Sequence, residues 1–290
     1  MTELLVPDQV GVYADIPDHV YHGDKMSLSS SGARALLPPS TPFQFRYAQD
    51  HPREASKAFD VGHAAHTLVL GEGAELREIP AKLLASNGAT STKEAKAFIA
   101  ETRAAGAVPL KPDEYRAVHE MAAGIRRNRH AAALLESGTA ELSMYWDDPA
   151  TGARLRCRPD WLPNLTIGGR GIAVDYKSST SANPDKFAKS SADYGYAQQA
   201  PFYIDGLIEL EIADDPVFLF IVQDKNPPYL VSVIELHPDD IAVGRQLNRK
   251  AIDTFARCME TGVWPDYSDE VHLVNLPAWW RRQHEDALPW

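Results

Sequence analysis

The residues best suited to chemistry lie between Leu155 and Tyr203, a stretch that reads LRCRPDWLP, then GIAVDYKSST, then a run ending QQAPFY. It contributes Asp160, Asp175, Lys177, Gln199 and Tyr203. Strand side chains return to the same face every second residue, so Asp175 and Lys177 share a face and Tyr176 points to the other. Cleaving a phosphodiester requires neutralising the non-bridging oxygens, activating a water and stabilising the leaving oxyanion. One or two magnesium ions on hard oxygen ligands, about 4 Å apart when paired, can do all three. Asp160 and Asp175 suit that task if their strands are neighbours, which the short connection between them favours. The backbone carbonyl of Tyr176 is a further oxygen ligand. Lys177 can orient a metal-bound water or stabilise the hydroxide, and nearby cations would lower its pKa. The set reads as a metal-dependent phosphodiester-cleaving site.

A second informative stretch, KAFDVGHAAHTLVL from Lys57 to Leu70, reads as a helix stopped by Gly71 and Gly73. Gly62, Ala64 and Ala65 make one side small, and His63 and His66, three apart, share roughly one face. His66 can ligate a metal through a neutral imidazole nitrogen. Taken singly, each feature has a plainer reading. A helical histidine is commonly structural, acid-x-lysine on a strand is a weak pattern, Asp160 after Pro159 could end a strand in a turn, and Gln199 with Tyr203 could be a polar edge. The weight comes from their order: GxxxH, a basic strand ending in an acid, acid-x-lysine, then QxxxY.

The elements that must position these groups follow from pattern. Residues 1–25 look extended and irregular. SLSSSGARALL opens a helix that Pro38 and Pro39 end, and STPFQFRYAQ offers Pro42 at a first helical position, with Phe43 and Tyr47 expected in the core rather than stacking on bases. A strand or loop and a polar segment fill residues 74–92. Ser91 and Glu94 make a capping box for the next helix, and Pro112, Asp113 and Glu114 open one running to about Leu135. From Gly138 the pattern turns to strands: residues 140–147, the turn DPATG, and ARLRCRPDWLP as one partner strand with Arg154, Arg156 and Arg158 on one face and Leu155 and Cys157 on the other. IAVDYKSS is apolar enough to be central. A helix or broken pair over residues 187–212 follows, then strands PVFLFIVQ and YLVSVIEL, then a helix from Pro238 to Thr261. The expected architecture is α/β: a mixed sheet flanked by helices, with a helical amino-terminal arch and one core. The chain reads as a single domain, 1–290, with a mainly helical part (1–138), a catalytic sheet with helices (139–265) and an aromatic-rich tail (266–290) that packs on the body or on a neighbour.

Composition bounds the alternatives. A chain of 290 residues can bury a stable core without staples. No stretch approaches the roughly 18 apolar residues of a membrane span, and the amino terminus lacks the look of a signal peptide. Two cysteines, Cys157 and Cys258, exclude a four-cysteine zinc or iron–sulfur site within the chain. The expected setting is cytoplasmic and reduced, with no membrane partner. The net charge of −11 counts mildly against nucleic acid. Clustered carboxylates attract phosphate once divalent metal fills them, and Arg126, Arg127, Arg129 and His130 form a second basic cluster.

The ordered set resembles the PD-(D/E)xK nuclease superfamily in its RecB-like branch, and more narrowly the exonuclease VIII carboxy-terminal nuclease domain of phage and prophage recombination loci. The resemblance runs over nearly the whole chain, through SLSSSGARALLPPSTPFQFRYA, FDVGHAAHTLVLG, CRPDWLP, VDYKSS, YAQQAPFY and YSDEVHLVNLPAWW. It implies that His66, Asp160 and Asp175 hold the metal, that Lys177 is the catalytic lysine, and that Gln199 and Tyr203 support the site and contact DNA. Glu141 matches an acidic position one strand earlier, a surface role being equally open, and Arg156 and Arg158 are candidate DNA contacts. Asp175 stands where many members carry Glu, a substitution the superfamily admits. The resemblance further implies magnesium, with manganese as a substitute, and no iron–sulfur cluster. The implied activity is 5′→3′ degradation of double-stranded DNA from an end, leaving a 3′ strand for a single-strand annealing protein. A ring-like homo-oligomer in a bacterial or phage-infected cytoplasm completes the expectation. Other polarity, a single-strand or flap substrate, a non-catalytic DNA-binding subunit and a hydrolase of small phosphorylated molecules stay open, the last without any glycine-rich phosphate loop to support it.

Overall fold

The computed structural model describes residues 6–52, 61–71, 74–268 and 270–284, with the backbone alone for 61–63. The first residues are more regular than their turn-rich sequence implies: β1 (Gly11–Tyr13) and α1 (Asp18–Gly23) precede β2 (Leu28–Ser29). Helix α2 (Ser30–Ala35) starts on Ser29, whose hydroxyl accepts from Gly32 N, and α3 (Pro42–Asp50) starts on a Thr41–Gln44 capping box with Pro42 in its first turn. Helical periodicity turns Phe45 inward and leaves Phe43 and Tyr47 more than half exposed, so the aromatic pair expected in the core lies outside it. Helix α4 (Val61–Leu70) stops at Gly71, whose φ of +72° suits a residue without Cβ. Lys57–Asp60 and Gly73, part of that expectation, lie outside the described residues.

Strand β3 (Leu76–Glu78) pairs in parallel with β4 (Val108–Leu110) across α5 (Lys93–Ala104). The cap of α5 is Thr92, accepting from Ala95 N, one position after the expected Ser91. The helix expected to reach Leu135 is two. Helix α6 (Pro112–Arg127) ends at Asn128, which leaves helical geometry at ψ 110° and whose carboxamide accepts from His130 N and Ala131 N to open α7 (Arg129–Leu134).

Strands β5 (Gly138–Ala140), β6 (Ser143–Asp147), β7 (Arg154–Cys157) and β8 (Trp161–Pro163) correct the reading of ARLRCRPDWLP as one strand. β6 and β7 pair within a four-stranded sheet of order β1-β6-β7-β2, whereas β5 and β8 pair within another sheet. Both chains bend at the same level. Glu141 takes a φ of +47°, Pro159 interrupts its partner, and Glu141 N donates to Asp160 O at 3.2 Å across the bend.

The second sheet has the order β11-β10-β9-β8-β5, adding β9 (Ile172–Ser179), β10 (Val217–Asp224) and β11 (Val231–Ile234). β9 is central, as its apolar sequence requires, and runs parallel to β10 with Asp175 opposite Phe220. Between these strands lie α8 (Pro184–Tyr194) and α9 (Tyr196–Glu209), and after β11 come α10 (Pro238–Thr261) and α11 (Ala278–Gln283). One face of the sheet, with Ala173, Phe218, Phe220 and Val222, packs on Phe187 of α8, Phe202 of α9 and Phe255 of α10. The other face, with Val174, Tyr176, Leu219 and Ile221, packs on Ala65 of α4, Met121 of α6 and Leu134 of α7. Helices on both faces of a mixed sheet make the α/β architecture that the strand pattern predicted.

Pro201 lies inside helix α9 and has no N–H for the carbonyl of Ala197. Gly244 of α10 meets that carbonyl so closely that an added Cβ would stand 1.7 Å from it. Just before the tail, Trp264 packs on Phe45 and Phe255, and within the tail Tyr267 OH accepts from Gln44. Beyond that the expected packing on the body is not found: the described residues 270–284 are exposed throughout, Val271 and Leu273 fully.

Candidate active site

The site forms where β8 and β9 part. Their ladder consists of one pairing, Trp161 with Val174, and then the strands diverge. Tyr176 N, two residues on, donates to the side chain of Asp160 instead, reaching Oδ2 at 2.7 Å. Asp160 therefore lies beside β9 because it closes the gap in the sheet. The tyrosine side chain points to the opposite face, as alternation predicted, and its hydroxyl donates to Gln223 Oε1 at 2.6 Å.

Asp175 and Lys177 share the other face, and Lys177 Nζ stands 2.6 Å from Asp175 Oδ2. Gln199 of α9 donates from Nε2 to Asp175 Oδ1 at 2.6 Å. Burial raises the Asp175 pKa to about 6, the neighbouring charge of Asp160 adding to the shift and Lys177 and Gln199 opposing it. Burial works against the Lys177 ammonium, but the charges of Asp175 and Asp160 outweigh it and raise the lysine pKa. The two carboxylates thus shift this lysine in the direction opposite to the lowering that nearby cations would give.

His66 arrives from α4 on the far side of the sheet, with its Nε2 3.1 Å from Asp160 Oδ2 and its Nδ1 4.0 Å from Glu141 Oε1. Burial disfavours its charged form, yet Asp160, Glu141 and Asp175 together raise its pKa. Glu141 and Asp160 thus meet across the bend between the two sheets. The side chain of His63 lies outside the described residues.

A cavity of about 330 Å³ joins Glu141, Asp160, Asp175, Lys177, Gln199 and Tyr203. Tyr203 is fixed by its hydroxyl, which donates to Arg158 O at 3.3 Å, and burial raises its pKa well above the phenol range. Arg158 lines the cavity as well, its guanidinium held by Asp18 Oδ1 at 2.7 Å, Ile16 O and Ser143 Oγ. Arg156 is a correction. At 5% exposure it lies too deep for a DNA contact, donating to Ser27 O and Oγ and facing buried Asp24 at 3.6 Å. The alternation of β7 that puts Leu155 and Cys157 in one core puts Arg156 against the amino-terminal segment.

Two residues near the site had no role in the sequence reading. Tyr196 places its ring 4.9 Å from Lys177 Nζ, and Arg34 lines the cavity while donating to Tyr194 O at 2.6 Å. The aromatic residues flanking Gly195 were the available signal for the first, whereas Arg34 lies 160 positions from its partner.

The donor chemistry fits a divalent cation. Two ligands side by side on an octahedron with bonds of about 2.1 Å stand roughly 3 Å apart, and His66 Nε2 and Asp160 Oδ2 have that spacing. Asp175 Oδ2 is buried with Lys177 Nζ at 2.6 Å, and a carboxylate oxygen can take a cation beside such a partner. Among the described residues no three His, Cys, Asp or Glu side chains already converge on one point, since Asp175 is drawn to Lys177 and Gln199.

A family described as a PDDEXK-like domain of unknown function (DUF3799) matches residues 30–277. No curated protein matches the sequence. Among solved structures, a presumed exonuclease from Eubacterium rectale superposes with a TM-score of 0.56, covering 93% of this chain and 98% of that one at 13% identity, a likeness of fold. An alkaline exonuclease from Laribacter hongkongensis (LHK-Exo) overlaps 69% of this chain and 95% of its own at 14% identity, with a TM-score of 0.28 that is too low to bear on the site.

Proposed function

This chain belongs to the PDDEXK-like DUF3799 family, and from that premise we propose that it is a divalent-metal-dependent exodeoxyribonuclease acting on the ends of double-stranded DNA. The observation that supports this most is the Asp175–Lys177 pair, 2.6 Å apart on the central strand and in one cavity with Asp160. Asp160, Asp175 and His66, with the Tyr176 carbonyl, are the groups that would hold magnesium or manganese. The bound cation supplies charge neutralisation for the scissile phosphate and a more acidic water. Lys177 holds an ammonium beside the reacting phosphate, placed to orient the attacking water and stabilise charge that develops on oxygen. Gln199 fixes one oxygen of Asp175, leaving the other for Lys177 and the cation. Tyr203 anchors α9 to Arg158 in the bend between β7 and β8, two residues before Asp160, which keeps the two carboxylates in register.

The finer reading is 5′→3′ digestion that leaves a 3′ strand for a single-strand annealing protein, as in phage recombination, in the cytoplasm of a bacterial or infected cell. A homo-oligomeric ring accords with the exposed apolar tail, where Val271, Leu273, Val274 and Trp279 have more than half their surface open. It also accords with the net charge of −11, if basic groups face the channel and acids the exterior. A time course on linear duplex DNA with magnesium, labelled separately at each end, tests the reading. Early loss of the 5′ label is expected, and retention of both labels in magnesium and in manganese would reject it.

A further inference from the structure

Lys177 has two sides. Besides the catalytic cavity it lines a second one of about 250 Å³, together with Ser178, Thr180, Ser190, Tyr194, Tyr196 and Lys225. Hydroxyls and ammonium groups suit phosphate oxygens. The aromatic residues are arranged as a ledge. Tyr196 faces Lys177 Nζ at 4.9 Å and stacks on buried Phe187, with ring centroids 5.6 Å apart and planes inclined by 24°. Tyr194 continues outward with its ring centroid 5.9 Å from that of Tyr196, and it is 65% exposed.

A single exposed tyrosine is ordinary on a protein surface. This one is set apart by its position beside the catalytic lysine and by the way its backbone is tied. Gly195, between the two rings, has a φ of +68°, a conformation that glycine adopts without strain. Arg34 reaches across from the catalytic cavity to the Tyr194 carbonyl at 2.6 Å and packs so closely that a Cβ on Gly195 would stand 2.6 Å from its Cδ. The ledge is therefore anchored to the site before any ligand arrives, and a pre-set aromatic face binds a base at little ordering cost.

We propose that this second cavity is the subsite for the nucleotide adjoining the scissile phosphate on the cleaved strand, with its phosphate at Lys225 and the hydroxyls of Thr180 and of Ser179, which also lines the cavity on the Lys177 face of β9, and its base stacked on Tyr194. A pocket of this size takes a sugar and a phosphate and leaves the base on the open rim, where Tyr194 lies. The inference rests on the nuclease reading above.

Steady-state cleavage of a linear duplex in magnesium, and fluorescence anisotropy of the same duplex in calcium, test it. Tyr194→Ala should raise KM and the calcium Kd about tenfold, the lower range for one lost base–aromatic stack, with kcat little changed, and Tyr194→Trp should restore both. An abasic nucleotide scanned through the terminal positions should carry a similar penalty at one position in wild type and none there in Tyr194→Ala. Lys225→Ala should reduce the slope of log Kd against log salt by about one. If wild type does not cut in magnesium or manganese, the nuclease reading fails and takes the subsite with it. If wild type cuts while Tyr194→Ala and Lys225→Ala leave KM, Kd and salt slope unchanged, the subsite alone is overturned.

Discussion

One oxygen of Asp160, Oδ2, accepts the backbone N–H of Tyr176 at 2.7 Å and faces His66 Nε2 at 3.1 Å. The first contact closes a gap in the sheet and the second is suited to metal binding, so substitutions should separate them. Asp160→Asn keeps an acceptor for Tyr176 N and should unfold in urea near the wild-type midpoint, while metal-dependent cleavage is lost. Asp160→Ala leaves that N–H unpaired and should lose cleavage and also about 1–3 kcal/mol of stability. Equal stability of the two variants would show that the hydrogen bond contributes nothing to the fold.

In the proposed mechanism Lys177 serves the chemical step rather than affinity, its ammonium being turned toward Asp175. Lys177→Ala should reduce single-turnover cleavage by about 10²–10⁴-fold, with duplex binding in calcium changed only slightly. Calcium itself should support binding without turnover, because it accepts looser coordination than the magnesium octahedron. Near-normal turnover in Lys177→Ala would remove the lysine from the mechanism.

Much of this arrangement was legible in the sequence because it depends on local periodicity. Alternation along β9 puts Asp175 and Lys177 together and Tyr176 away from them, and an apolar run marks β9 as central. Helix α10 announces both ends, with Pro238 in its first turn and Gly262 just past its last. What escaped depends on contacts between distant segments. The bend that assigns β7 and β8 to different sheets needs Glu141 at positive φ on the partner chain, and nothing in ARLRCRPDWLP by itself distinguishes a bend from a continuous strand. Phe43 and Phe45 are chemically alike, and only the orientation of α3 on α10 decides that Phe45 is the buried one. The basic stripe on β7 read as a DNA face because charge pattern alone does not reveal Asp24 and Ser27, more than 120 positions away.

Asp175 gives the metal-free protein a pH dependence whose sign can be stated. Its folded pKa lies near 6, above the ordinary aspartate value of about 3.9. The folded state therefore holds the proton more tightly than the unfolded chain does. The resulting stability is fully present below about pH 4 and is lost as pH rises through 6, at most about 3 kcal/mol. Asp175→Asn does not titrate, so the difference in Tm between wild type and this variant should move against wild type across that window in chelator. Magnesium favours the ionised carboxylate, so the Tm gain it confers on wild type should grow from pH 4 to pH 7. A gain that is flat with pH would show that Asp175 is already ionised without metal.

Arg156 separates stability from DNA affinity. Its Nη1 donates to Ser27 Oγ at 2.7 Å and to Ser27 O, its guanidinium lies 5.2 Å from the Tyr21 ring centre, and Asp24 beside it is buried. Asp24 also accepts from Met26 N at 2.8 Å and from the Ser27 hydroxyl, so the pair ties the segment before α2 to β7. Removing the arginine leaves a buried carboxylate without its counter-charge, and Arg156→Ala should cost about 3–5 kcal/mol in urea unfolding. Arg156→Lys should recover only part of this, since an ammonium does not reproduce the planar guanidinium that faces the Tyr21 ring while its Nη1 sits between Ser27 and Asp24. An arginine that touches no phosphate does not release counterions on binding, so the salt dependence of duplex affinity for folded Arg156→Lys should match wild type. A salt slope lowered by about one, with stability unchanged, would instead place Arg156 on the DNA.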